Sequence, residues 1–167
     1  MLSTAAMAGL AGAGVAWWQS KATQPLTPEV DAFWRMQFDQ PDGAPLNMQG
    51  FQGQALLVNF WATWCPPCVE ELPLLESIWR EKSVNRLQVV GLAVDQPSSV
   101  RKFLEKNQLT FPIGLAGLTG TALARSLGNS VSALPFSVLF DSKGQIRAQK
   151  MGKLEANELS VWIQSLK

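Results

Sequence analysis

The hydrophobic pattern of this chain switches repeatedly between helical and strand period. Glu29–Phe38 (EVDAFWRMQF) sets Val30, Phe33, Trp34 and Phe38 on one side, which predicts a short amphipathic helix. A QPDG turn signal at Gln40–Gly43 leads to a short strand within Pro45–Phe51. Ala55–Trp61 (ALLVNFW) is a continuous apolar run of strand length, the pattern of a central strand covered on both faces. From Cys65 the period becomes helical through Val69, Leu72, Leu75, Ile78 and Trp79, and Pro73 predicts a kink within that helix.

The second half repeats the alternation. Leu87–Val94 reads as another buried strand, Asp95–Ser99 as a capping loop, Ser99–Lys106 as a helix and Phe111–Leu115 as a short strand. Gly120–Leu127 reads as a short helix ended by Gly128. Phe136–Phe140, the turn Asp141–Gly144 and Gln145–Met151 form a hairpin, and Leu154–Leu166 is a terminal helix with Leu159, Trp162, Ile163 and Leu166 on its apolar face. This order predicts an α/β fold: a mixed central sheet with helices on both faces.

The start of the chain departs from that pattern. No side chain from Met1 to Ser20 is charged, and Met1–Trp18 as a helix would span about 27 Å, close to the thickness of a bilayer's hydrocarbon core. Trp17 and Trp18 fall where an interfacial aromatic belt would lie. The run reads either as an uncleaved membrane anchor or as a signal peptide, with Gly14 and Ala16, or Ala11 and Ala13, as cleavage determinants. No basic residue precedes it, so its orientation is weakly specified. The expected organisation is an N-terminal hydrophobic helix over residues 1–20, a linker and short helix over 21–43, and one domain over 44–167.

Composition narrows the chemistry. The chain has 167 residues, 16% charged, with a net charge of +1, so no basic surface calls for a nucleic-acid partner. It contains no His and no Tyr, which excludes Ser-His-Asp and Cys-His nucleophiles and His-ligated metals. Two cysteines are too few for a cysteine-only zinc or iron–sulfur site within one chain, and no metal or cofactor is expected.

Those cysteines, Cys65 and Cys68, form a C-x-x-C pair between a strand and a helix, the arrangement of a redox disulfide. The helix start offers unpaired N–H groups and positive partial charge to the Cys65 thiolate. This spacing leaves Cys65 exposed as nucleophile and Cys68 inward as resolving thiol. Pro66 and Pro67 suit a first helical turn but withdraw two N–H donors. The alternatives are an inert structural disulfide or half of an intermolecular zinc site.

FWATWCPPC at Phe60–Cys68, with Leu134-Pro135 before a later strand and a D-x-x-G turn at Asp141–Gly144, resembles the thioredoxin superfamily. More narrowly it looks like the TlpA/ResA/DsbE-like extracytoplasmic thiol–disulfide oxidoreductases. The resemblance runs from about Ala44 to the C-terminus, and Asp95–Leu115 looks like that subgroup's insertion. It implies a thioredoxin-like fold, with Trp64 beside the nucleophile, Pro135 as a cis-proline at the disulfide, and Leu134 presenting its backbone to substrate. Thioredoxin's buried Asp is replaced by Asn59, which cannot take a proton, while Glu71, three positions after Cys68, becomes the candidate base for Cys68. Its alternative is a solvated surface carboxylate, the reading given to Glu70.

By that resemblance the chain reduces disulfides of extracytoplasmic proteins, such as apocytochrome c before haem attachment or copper-site cysteines. A membrane electron donor recharges it, and the N-terminal segment holds it at the bacterial inner membrane, facing the periplasm, unless it is cleaved. An oxidase of nascent exported proteins and a redox-gated binding or chaperone module are the competing readings.

Overall fold

The computed structural model describes residues 26–81 and 86–166. The hydrophobic run Met1–Ser20 lies outside them. Among the described residues no helix is long and apolar enough to cross a membrane.

The chain begins with α1 (Pro28–Trp34), β1 (Gln37–Asp39) and β2 (Pro45–Asn47), followed by a 3-10 turn at Met48–Phe51. The centre is β3 (Ala55–Trp61), α2 (Pro66–Arg80), β4 (Leu87–Ala93), α3 (Pro97–Lys106) and β5 (Ile113–Leu115). It closes with α4 (Gly120–Ser126), β6 (Phe136–Phe140), β7 (Ile146–Met151) and α5 (Ala156–Gln164). The seven strands form one sheet in the order β2-β1-β5-β4-β3-β6-β7. β3, β4 and β5 run parallel, and β1, β2, β6 and β7 add antiparallel pairings. This is the thioredoxin-like α/β arrangement.

Alternation along β3 divides the core. Leu56, Val58 and Phe60 join Phe33 and Trp34 of α1 on one face, whereas Leu57 and Trp61 join Cys68, Leu72 and Leu75 of α2 on the other. Asn59 lies on that second face by the same period, fully buried in an otherwise apolar strand. β3 and β4 pair over their full length and end together at Trp61 and Ala93, which places the loop before α2 at the carboxyl edge of the sheet's centre.

Two elements differ from expectation. The helix expected over Glu29–Phe38 stops at Trp34, and Gln37–Asp39 is a strand pairing with both β2 and β5. Thr27 caps α1 and Pro28 opens it, and Phe38 reaches the core from the sheet rather than from the helix. The strand expected within Pro45–Phe51 ends at Asn47, where the 3-10 turn begins. α2 runs from Pro66 to Arg80 through Pro73 as one helix.

The hairpin is fastened to the first helix. Asp141 accepts from Lys143 N and Gln145 N, and Gly144, at φ +79°, closes the turn onto the Asp141 carbonyl. The Gly144 carbonyl accepts from buried Trp34 Nε1 at 2.9 Å.

Candidate active site

The strand that ends at Trp61 turns through Ala62, Thr63 and Trp64 into α2. Cys65 is the N-cap, in extended conformation, and Pro66 and Pro67 occupy the first helical positions where N–H groups have no partner within the helix. The Cys65 carbonyl accepts from Cys68 N and Val69 N, both at 3.1 Å. Cys65 and Cys68 are joined in a disulfide, S–S 2.10 Å, with Cα atoms 5.3 Å apart.

Exposure differs from expectation at Cys65. Cys68 is fully buried as expected, but Cys65 shows only 5% of its surface. In the disulfide its sulfur turns inward to Cys68, within the cluster built on Leu57, Trp61 and Leu72. Trp64 is the exposed group at the site, at 67%.

The loop is held from the next strand. Asp95, just beyond β4, accepts through Oδ2 from Thr63 N at 2.9 Å and from Thr63 Oγ1 at 2.6 Å, and through Oδ1 from Gln96 N at 2.7 Å. A backbone bond from Val94 N to the Trp61 carbonyl lies beside it, at 2.8 Å. The sequence places Asp95 only in a loop capping the following helix. The N-cap of α3 is Gln96, and the Asp95 carboxylate serves the active-site loop instead.

Opposite this loop the Leu134–Pro135 bond is cis, and the Pro135 carbonyl accepts from Gly152 N at 2.8 Å. Leu134 is half-buried against the cluster that holds both cysteines. β6 starts one residue later, paired at Phe136 with Phe60 near the end of β3, so the Pro135 loop and the disulfide share one sheet edge.

Glu71 is not a surface carboxylate. It is 1% exposed and accepts from Asn59 Nδ2 through Oε1 and from Leu154 N through Oε2, each at 2.7 Å. Burial pushes its carboxyl above the ordinary 4.5, against the pull of those two bonds and of Lys153. Asn59 Nδ2 also donates to Ser137 Oγ at 3.0 Å, while Asn59 Oδ1 is buried without a partner. Glu70, on the neighbouring face of the helix, is exposed and pairs with Lys153 at 3.1 Å.

Sequence reasoning missed the roles of Asp95 and Ser137. Ser137 could have been found as the polar residue interrupting an apolar strand opposite Asn59, which interrupts its partner strand. No cluster of three or more Cys, Asp or Glu among the described residues could hold a metal ion. Clefts of about 350 and 360 Å³ lie against α4, lined by residues such as Met36 and Leu123 or Val30 and Gln149, and neither touches the disulfide.

A family model described as Redoxin matches residues 22–161. The chain belongs to the Redoxin family. It is similar to the thiol-disulfide oxidoreductase ResA of Bacillus cereus, 25% identical over 126 residues, 75% of this chain and 70% of that protein. It is also similar to the sporulation thiol-disulfide oxidoreductase A of Bacillus subtilis, 28% identical over 156 residues, 89% and 88% of the two chains. Among solved structures it matches StoA from Bacillus subtilis with a TM-score of 0.62 at 27% identity, covering 76% of this chain and 94% of that one. A thiol:disulfide interchange protein from Chlorobium tepidum TLS, at 22% identity, shares the fold with a TM-score of 0.69 over 78% of this chain and 92% of its own. This Redoxin protein is of the thioredoxin-superfamily ResA/DsbE kind, a thiol–disulfide oxidoreductase whose redox pair is Cys65 and Cys68.

Proposed function

We propose that this protein works as a reductase, converting disulfides of exported proteins to thiols outside the cytoplasmic membrane. The observation that carries the direction is the surroundings of Cys65. Its helix opens on two prolines that supply no N–H, and a buried carboxyl, Glu71, lies one turn beyond Cys68. The helix terminus pulls the other way, with about 0.3–1 kcal/mol at an exposed site and up to about 2 kcal/mol at a partly buried one such as Cys65. Strong oxidants in this fold owe their potential to an over-stabilised reduced form. These surroundings favour the opposite balance.

The reaction begins with the Cys65 thiolate attacking one sulfur of the substrate disulfide, forming a Cys65–substrate bond and releasing the other sulfur as thiolate. Cys68 then loses its S–H proton to the Glu71 carboxylate and attacks Cys65 Sγ. The Cys65–Cys68 bond forms, the substrate bond breaks, and the substrate leaves with both electrons as a thiolate that takes up a proton. Trp64 and the Leu134 backbone receive the substrate chain on either side. A membrane dithiol donor returns two electrons to the pair.

Apocytochrome c before haem attachment and copper-site cysteines are the substrates we propose, with residues 1–20 as tether or signal. The family resemblance supports both. The deciding experiment is the reduction potential of Cys65–Cys68. A value toward the thioredoxin end, ~−270 mV, is expected, and one near the strong-oxidant end, ~−120 mV, overturns the reductase reading in favour of the oxidase.

A further inference from the structure

Asn59 presents an asymmetry that the reaction above does not use. Its Nδ2 spends both hydrogens, on Glu71 Oε1 and Ser137 Oγ, while its Oδ1 is buried with no partner. An unpaired buried acceptor is costly, and buried polar groups are nearly always satisfied. An amide has one accepting and one donating end of almost the same shape. Turned about its last bond, Asn59 would put Oδ1 where Nδ2 now stands, facing Glu71 Oε1 and Ser137 Oγ. A carboxylate can only accept there. A protonated Glu71 can donate, and so can the Ser137 hydroxyl.

We propose that Asn59 is a reorienting positioning residue for Glu71, donating through Nδ2 to the carboxylate and accepting through Oδ1 from the protonated carboxyl. The two orientations each satisfy one proton state of Glu71 and leave one amide atom unpaired. Asn59 thereby keeps a partner on Oε1 in either state, more strongly for the carboxylate, while the Leu154 N–H stays on Oε2. That property suits a group that must take a proton from Cys68 in one direction of exchange and return it in the other. The inference rests on the reading of Glu71 as proton acceptor for Cys68.

Other charges facing Glu71 do not duplicate this role. On α2, Glu70 points outward to Lys153. From the segment after β7 come the Leu154 N–H, which donates to Oε2, and the charges of Lys153 and Glu155. β3 and β6 contribute the neutral Asn59, which bonds Glu71, and Ser137, which bonds Asn59. Of these groups, the two side chains on the sheet alone can exchange donor for acceptor.

Nuclear magnetic resonance of the oxidised protein tests the proposal, because the disulfide leaves no thiol to titrate. The Glu71 carboxyl carbon gives the midpoint, and the Asn59 NH2 protons report their neighbours. The expected result is a cross-relaxation contact between Asn59 NH2 and the Ser137 side chain above the midpoint and its loss below. A contact that persists on both sides overturns the proposal, as does a Glu71 that holds one protonation state between about pH 4 and 9. Asn59→Leu should raise Glu71's proton affinity about threefold or more, since a charge-assisted bond outweighs a neutral one. An unchanged midpoint means that Asn59 is structural only and also overturns it. Neither measurement reads turnover, so a Glu71 that fails as base in Glu71→Gln kinetics would be recognised separately.

Discussion

Asp95 grips Thr63 at two atoms, the backbone N–H and the hydroxyl, and so fixes the loop two residues before Cys65 from just beyond a neighbouring strand. Asp95 is 8% exposed, and each charge-assisted bond of this kind contributes about 1.5–3 kcal/mol. Asp95→Ala leaves the Thr63 N–H without its acceptor and is expected to destabilise the protein by about 2 kcal/mol or more. Thr63→Ala, which keeps the backbone bond, should cost about 1 kcal/mol. Urea unfolding gives both values. Alkylation of reduced Cys65 should also change rate in Asp95→Ala, and an unchanged rate would mean that the bond supports the fold without positioning the loop.

The two cysteines are not equivalent. Cys65 is the N-cap, with 5% of its surface open, and Cys68 lies fully buried within the first turn. Cys68→Ser should accumulate a stable mixed disulfide with substrate, visible by mass spectrometry, because nothing resolves it. Cys65→Ser should accumulate none. The reverse pattern would exchange the two roles.

Much of this is legible in the sequence because period and motif agree. ALLVNFW has the composition and length of a strand buried on both faces, and a C-x-x-C between such a strand and a helical period has few other meanings. Phe38 misleads because FWRMQF satisfies a helical spacing. The spacing does not reveal that Gln37–Asp39 finds a partner in β5, which is distant in sequence. The fate of Glu71 is hidden for a related reason. The EE pair after Cys68 looks symmetrical, yet one carboxylate is buried on Asn59 and Leu154 N while its neighbour faces Lys153 in solvent. Helical rotation separates them, and only the packing of the segment after β7 decides which is inside. Asp95 carries no signal, since a lone acid after a strand reads as a cap whether it bonds forward or across.

Trp64 offers its ring to solvent at the site edge, 67% exposed, and contributes little to the core. Trp64→Ala should therefore leave stability within about 0.5 kcal/mol, as surface substitutions do. Its effect should fall on association. KM for a protein disulfide is expected to rise several-fold, while reduction of a small disulfide reagent proceeds nearly unchanged. Equal losses with both substrates would mean that Trp64 acts on the cysteines themselves rather than on the bound chain.

Two buried carboxyls on α2 should tilt the pH dependence of stability in opposite directions. Glu71 lies above the ordinary 4.5, chiefly through burial, so the folded protein holds its proton where the unfolded chain has released it. Its contribution is fully present below pH 4.5 and is lost as pH rises through its folded value. Glu76 lies below 4.5. Burial pushes it up, but the Thr110 hydroxyl and N–H and the Arg80 side chain together outweigh that. Its contribution is present above pH 4.5 and is lost as pH falls through its folded value. In the oxidised protein, denaturant unfolding at a series of pH values should therefore show a maximum between the two transitions. Glu71→Gln should flatten the decline on its alkaline side, and Glu76→Gln the decline on its acid side. A Glu71→Gln protein that retains the full alkaline decline would place that titration elsewhere and remove the evidence that Glu71 holds a proton beyond the range of an ordinary carboxyl.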